Sequence, residues 1–297
     1  MKKALLFAAA AMMLAGLCAC NNDKDNGKDD GKKEAKTAIE ITTAADNLVM
    51  YLPLESAEKA VAKGDGVTFA EAKGAGAFGA GQYHNGYYNT TGDNMQQAYL
   101  KFNLASDNLF KHLDDMTFTC WVKLSETCPK GAILSVNGSG IDWPAFIAYF
   151  DNTRETEDKV KEQQVNGRLV MHDAEGVEKN LWLDTWDAKL AKYDTWFQFA
   201  FAYKAETGEW NLYVDGIPVK EEPAIFGDKL AVNTLVTKDC NTMYLGAWAS
   251  FVEGASTQDW QSYFAGAIDE VRIFNKALTA DEIVALRREE IAAILAD

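Results

Sequence analysis

The sequence is 297 residues long, 48% hydrophobic and 25% charged, which is enough apolar material for one large core or two small ones. Its 44 acidic and 29 basic residues leave a formal charge of −15; no basic patch offsets a surface that repels phosphate backbones, so nucleic-acid binding is disfavoured. Aromatics at 11% exclude general disorder, and 5 scattered Cys are too few for a disulfide-framed miniprotein.

At the N-terminus, Lys2 and Lys3 precede an apolar run, Ala4 to Leu17, that is too short to span a bilayer. It ends in Leu17-Cys18-Ala19-Cys20, which resembles a bacterial lipobox: an aliphatic residue three before the modified Cys and a small one directly before it. Residues 1–19 therefore read as a lipoprotein signal peptide and Cys20 as the lipidated residue; an ordinary secretory signal is the alternative. Acyl chains on Cys20 would anchor the protein, since each buried methylene contributes about 0.8 kcal/mol. Residues 20–45 have no apolar periodicity and read as a flexible acidic tether. Acidic residues directly after the anchor resemble the surface-export signal of some Gram-negative lipoproteins, against the plainer reading of a solvated spacer. This places the protein on the outer membrane, at the cell surface or on the periplasmic face.

Two motifs fail on their context. Asp23, Asp25, Gly27, Asp29 and Glu34 have calcium-loop spacing, but Lys28 stands where the loop needs its sharp-turn Gly, and no helices flank it. Gly74-Ala75-Gly76-Ala77-Phe78-Gly79 spells GxGxxG, but strand-like, Gly-broken sequence follows where a dinucleotide site needs a helix N-terminus.

From Leu48 onward the chain is a series of short β-rich runs separated by turn residues: 49–52, 98–102, 117–124, 132–136, 145–150, 167–171 and 196–204. Glu206-Thr207-Gly208-Glu209 joins the last run to 210–215 as a hairpin, with Gly208 supplying the positive φ. In that second strand Trp210, Leu212 and Val214 share the core face. Trp196 and Trp210 read as core, Trp182 as a core candidate, and 151–165 as a charged loop or short helix at the edge. One all-β domain over 46–278, a two-sheet antiparallel sandwich, accounts for the pattern. The one clear helix, in 279–297, starts with a capping box, Thr279-Ala280-Asp281-Glu282. Ile283, Leu286, Ile291, Ile294 and Leu295 give it a partial apolar stripe for docking on the sandwich, with partner binding as the alternative.

Several stretches, in chain order from Leu48 to Leu286, carry a family resemblance. They are Gly76-Ala77-Phe78-Gly79; Phe118 with Trp121-Val122-Lys123; Trp196-Phe197-Gln198-Phe199-Ala200 with Tyr203; and Leu212-Tyr213-Val214-Asp215-Gly216. Tyr244-Leu245-Gly246, then Phe264 through Asn275, Ala277-Leu278-Thr279 and Glu282-Ile283 complete the series. Together they resemble the laminin-G-like, concanavalin A-like jelly-roll family. The resemblance implies two antiparallel sheets, one concave. It does not fix activity, because such sandwiches host lectins, glycoside hydrolases and protein-binding modules. Ile268 and Val271 differ in parity, so a bulge between them is expected if both face the core.

Glycoside hydrolases on this sandwich carry Glu-x-Asp-x-(x)-Glu, with carboxylates about 5–5.5 Å apart, and no segment here has that pattern. His84, His112 and His172 make no spacing signature. The expectation is a non-catalytic protein. The resemblance further implies a structural calcium held by an Asp of the last long strand with backbone carbonyls; Asp269 matches that Asp, a loop cap or salt bridge being the alternative. Sugars present apolar C–H faces and hydroxyl edges, so aromatic residues beside carboxylates and amides are the candidate ligand contacts. Those are Trp143, Trp186 with Asp187, and Trp248 with Trp260 and Asp259. The expected partner is a glycan or polysaccharide, or alternatively a surface protein. Cys120 reads as a buried thiol, and Cys128 and Cys240 as a possible pair.

Overall fold

The described residues fall within one compact unit, Ala35–Asp297. The computed structural model describes residues 38–73, 77–79, 87–89, 98–125, 131–137, 144–155, 161–172, 178–185, 193–234 and 240–296; residues 77, 79, 87–89, 151–155, 161–172 and 178–185 are described by backbone alone. Cys20, Trp143, Trp186, Asp187 and Cys128, and with Cys128 any pairing to Cys240, lie outside the described residues.

In chain order the strands are β1 (Leu48–Leu52), β2 (Lys63–Gly64), β3 (Val67–Lys73), β4 (Ala77–Gly79), β5 (Tyr87–Asn89), β6 (Tyr99–Leu104), β7 (Met116–Leu124), β8 (Ala132–Asn137) and β9 (Phe146–Glu155). They continue as β10 (Lys161–His172), β11 (Glu178–Thr185), β12 (Trp196–Lys204), β13 (Glu209–Val214), β14 (Ile217–Pro218), β15 (Ala224–Ile225), β16 (Thr242–Leu245) and β17 (Gly266–Phe274). The helices are α1 (Ala249–Val252) and α2 (Ala280–Ala296). The strands form a ten-stranded sheet with main path β14-β13-β12-β7-β17-β1-β2 and a seven-stranded sheet, β11-β10-β9-β8-β16-β6-β3. Every ladder between these strands is antiparallel.

Alternation along the strands builds the core. Phe118, Cys120 and Val122 of β7 and Phe197, Phe199 and Phe201 of β12 face Phe146, Ala148 and Phe150 of β9, all buried in one apolar cluster. Rings meet between the sheets, Phe118 with Phe146 at 5.9 Å and Phe150 with Phe197 at 6.0 Å. The expected hairpin forms between β12 and β13, with Gly208 at φ 73° and Trp210, Leu212 and Val214 in the core. The expected bulge lies in β17, where pairing with β7 shifts between Asp269 and Arg272 and Glu270 takes φ 52°. Ile268 and Val271 thereby both reach the core, while Arg272 points out of the other face.

Three expectations need correction. Residues 151–155 and 161–165 belong to the antiparallel strands β9 and β10, not to a loop or helix; paired positions such as Glu162 and Arg154 carry opposite charges in the sequence, which suits a ladder. Trp196 is only half-buried and shares the parity of Gln198 and Ala200, which puts it on the face opposite the core residues Phe197 and Phe199. The last part of the expected tether is bound to the domain. Ile39 is buried, its amide donates to the Tyr51 hydroxyl at 2.8 Å, and its carbonyl accepts from Arg272 Nη2 at 3.3 Å.

Helix α2 packs on the outer face of the ten-stranded sheet. Its capping box forms: the Thr279 amide donates to Glu282 Oε2 at 2.9 Å, and the Glu282 amide donates to Thr279 Oγ1 at 3.2 Å. Ile283 and Leu286 are buried against Ala200, Ala202, Phe274 and Leu278. Among the described residues no helix is long and apolar enough to cross a membrane. Cys120 is buried, and burial and the nearby Glu290 carboxylate push its thiol well above the usual range.

Glu289 of α2 holds the entering segment: its carboxylate accepts from the Thr42 amide at 2.8 Å, Thr42 Oγ1 at 2.6 Å and Thr43 Oγ1 at 2.7 Å. Partial burial raises this carboxyl, but the bonds from the two threonines outweigh it and hold it at about 2, against an ordinary 4.5. A depressed native value means that the stabilisation is fully present above 4.5 and is lost as the pH falls toward 2. Thr42 and Thr43 amide resonances are expected to move toward random-coil positions across that window in an NMR titration, and Glu289→Gln is expected to abolish the transition.

Candidate functional site

The outer face of the seven-stranded sheet is formed by residues of opposite parity to its core. Leu100, Phe102, Leu134, Val136, Met243 and Leu245 point inward, which leaves Tyr99, Lys101, Ser135, Asn137, Thr242 and Tyr244 outside. The segment after β16 folds back over this face. The Ala249 amide at the start of α1 donates to Ser135 Oγ at 2.9 Å. Glu253, just past α1, accepts from Thr242 Oγ1 at 2.8 Å, from the Tyr244 hydroxyl at 2.9 Å, and from Asn137 Nδ2. Three strand residues thus grip one carboxylate, fixing the segment where it crosses the sheet.

This packing decides the fate of the predicted aromatic residues. Trp248 is fully buried, which corrects the expectation that it offers a ring to a ligand. It is wedged edge-on between Tyr149 at 4.7 Å and Trp260 at 5.3 Å, over Ala132 and Ile147, because the segment that carries it lies flat on an apolar part of the sheet. Trp260 remains partly exposed, its indole N–H donating to Gln258 Oε1 at 2.9 Å, and Asp259 beside it is exposed. The structure therefore brings Trp248, Trp260 and Asp259 together, with Trp260 and Asp259 at the surface and Trp248 as their support.

A second aromatic group continues along the same face and was missed in the sequence. Phe251, 36% exposed, meets Tyr263 at 5.3 Å; Tyr263 stacks on Tyr99 at 6.3 Å; and Tyr99 meets Tyr244 edge-on at 5.5 Å. Lys73 lies 5.9 Å from the Tyr99 ring and Lys101 5.7 Å from that of Tyr244. Burial and the Glu71 carboxylate push the Tyr99 hydroxyl up to about 12, and burial with Glu253 raises Tyr244 as well. The available signal was parity: Tyr244 lies between Met243 and Leu245, which must both enter the core.

A profile of the concanavalin A-like lectin/glucanases superfamily matches residues 93–284. The chain belongs to this superfamily. No curated protein matches it. Among solved structures, the binding domain of botulinum neurotoxin DC in complex with rat synaptotagmin II is 12% identical with a TM-score of 0.51, over 82% of this chain and 51% of that one. The receptor-binding domain of the botulinum neurotoxin C/D mosaic serotype is 14% identical with a TM-score of 0.50, over 83% and 52%. The CBM40 of the Ruminococcus gnavus IT-sialidase bound to α2,3-sialyllactose is 18% identical with a TM-score of 0.44, over 60% and 84%. The superfamily domain described here spans about half the length of the neurotoxin chains it resembles.

Asp269, the expected metal ligand of this concanavalin A-like domain, is buried in β17 on the other sheet. Its Oδ1 accepts the Glu270 amide at 2.9 Å. Burial, then the negative charges of Glu270 and Glu55, push its carboxyl well above the usual range, while Arg272 pulls it back. Glu55, which follows β1, is also buried. Carboxylate oxygens of Asp269 and Glu55 are hard donors of the type calcium takes, so the residue types fit that ion. Among the described residues no group of three or more His, Cys, Asp or Glu is placed to hold a metal.

The two indoles are expected to separate in an unfolding experiment. Trp248→Ala empties a fully buried site and should cost about 3–5 kcal/mol, whereas Trp260→Ala, at the surface, should cost about 1–2 kcal/mol. Urea denaturation followed by circular dichroism measures both.

Proposed function

We propose that this protein is a non-catalytic carbohydrate-binding lipoprotein, held on the outer membrane through acylated Cys20, that meets glycan or polysaccharide with the outer face of its seven-stranded sheet. The observation that carries the reading is the partly exposed Trp260 ring, stiffened from behind by Trp248 and Tyr149 and flanked by Gln258 and Asp259. An indole face packs against sugar C–H groups, while the amide and carboxylate accept or donate at hydroxyl edges; each aromatic contact contributes about 0.5–1.5 kcal/mol. Weak single sites gain avidity when many copies share one surface. The superfamily's name covers both lectins and glucanases, so its membership is compatible with binding and does not require it.

Two further elements of the proposal concern support and partner. Calcium would be held by Asp269 and Glu55, where its charge would compensate two buried carboxylates. The competing reading is a protein partner, for which exposed Leu295 on α2 and exposed Ile217 and Ile225 on strands of the sheet beneath it are the relevant features.

A glycan array probed with the chain from Asn21 onward is expected to show binding that falls at least about tenfold in Trp260→Ala, a loss of roughly 1.4 kcal/mol. Absence of binding across polysaccharides would move the reading to a protein partner, and release of reducing ends from a bound polysaccharide would replace it with a hydrolase. Removal of calcium with EDTA is expected to lower the melting temperature, with recovery on adding calcium but not magnesium, which demands tighter octahedral geometry.

A further inference from the structure

Helix α2 docks in two different ways along its length. Its first turns bury Ile283 and Leu286, but beyond them the apolar stripe fades, with Ile291 and Ile294 half-exposed and Leu295 64% exposed. Where the apolar contacts end, Glu290 is buried instead, at 1% exposure. Three donors from three adjacent strands converge on its carboxylate. Trp121 Nε1 of β7 and Gln198 Nε2 of β12 donate to Oε2 at 2.7 and 2.8 Å, and Arg272 Nη1 of β17 donates to Oε1. Gln198 and Trp121 sit directly opposite each other in the ladder, and Arg272 is aimed outward by the β17 bulge.

All three groups present N–H, and the Gln198 amide turns its nitrogen to the carboxylate although its own Oε1 then has no hydrogen-bond partner among the described residues. Arg272 is fully buried and held from the other side by Glu270 Oε2 at 2.5 Å, with its guanidinium 4.1 Å from the centre of the Tyr51 ring. The neighbouring Glu289 grips Thr42 and Thr43, and Arg272 also reaches the Ile39 carbonyl. Consecutive carboxylates on α2 therefore bind the sheet and the entering segment separately.

We infer that Trp121, Gln198 and Arg272 form a carboxylate-binding site on the outer face of the ten-stranded sheet, occupied in cis by Glu290. Together with the Glu289 grip on Thr42 and Thr43, it makes a two-carboxylate latch through which the entering segment and the closing helix release as one unit. The ligand class of the site is a monocarboxylate on a short stem, which the helix supplies.

The test is chemical rescue in the full chain. Truncation by Glu290→Ala leaves the three donors facing a space of carboxylate chemistry. Amides of α2 after Leu286 and of residues 39–43 are expected to exchange at least about tenfold faster than in the unmodified protein, while strand amides of β7 and β12 keep their rates. Sodium acetate is expected to restore part of the lost melting temperature, sodium chloride at equal ionic strength to restore none, and acetate to leave the unmodified protein unchanged. Equal effects of acetate and chloride, or unchanged protection of α2 and residues 39–43, would overturn the inference. If Glu290→Ala does not fold, Glu290→Gln keeps the shape and removes the charge. It is then expected to loosen helix and entering segment together, and protection equal to that of the unmodified protein in both would overturn the inference equally.

Discussion

A fully buried guanidinium sets the terms for one side of this molecule. Arg272 sits at zero exposure on the outer face of the ten-stranded sheet, where an uncompensated charge would be prohibitively costly. Its partners come from separate parts of the chain: Glu270 two residues earlier in β17, Glu290 on the last helix, and the Ile39 carbonyl on the entering segment, with the Tyr51 ring packed against it. Removing one partner of such a cluster typically costs about 3–5 kcal/mol, because the remaining charge stays buried. The cluster thus defines where both ends of the described chain must go. It also accounts for the local geometry of β17, since the left-handed Glu270 lets neighbouring side chains serve the core and the cluster in alternation.

The two sheets consequently differ on their outer faces. The outer face of the ten-stranded sheet carries α2 and residues 39–43, which meet around Arg272 and Glu289. The seven-stranded sheet is covered by the segment after β16, which is held by Glu253 and leaves Trp260, Phe251 and Tyr263 partly exposed. A surface fixed by buried hydrogen bonds and offering rings at its rim is a better receptor than a mobile loop, because less ordering is required on binding. On the function proposed above, structural closure falls to one face and recognition to the other.

Much of the fold was legible in the sequence because β-structure writes its parity into the chain. The hairpin at Gly208, the bulge between Ile268 and Val271 and the capping box at Thr279 each depend on residues within a few positions of one another. The corrections concern longer range. Residues 151–165 look like a charged loop or short helix, but Arg154 and Glu155 sit opposite Glu162 and Lys161 in a ladder that becomes visible only when β9 and β10 align. Trp196 is one residue out of phase with Phe197, and its identity as a large aromatic outweighed its parity. In the candidate site, Trp260 stands out as an aromatic between Asp259 and Gln261, whereas Trp248 lies between Ala247 and Ala249, an apolar setting that matches its burial.

The amino-acid order by itself determined a sandwich of antiparallel strands, its principal turns, and a capped helix at the end, since these follow from periodicities of two and 3.6 and from the φ that particular residues accept. It also supplied the ring-bearing residues Trp248 and Trp260. Only the tertiary structure decided which indole is buried, which acid of α2 points into the sheet, and that residues 39–43 belong to the domain. Each of those outcomes depends on contacts with other elements, some of them more than a hundred residues away, such as Trp121 with Glu290 and Thr42 with Glu289, and such burial is set by how the layers close rather than by any immediate neighbour in the chain.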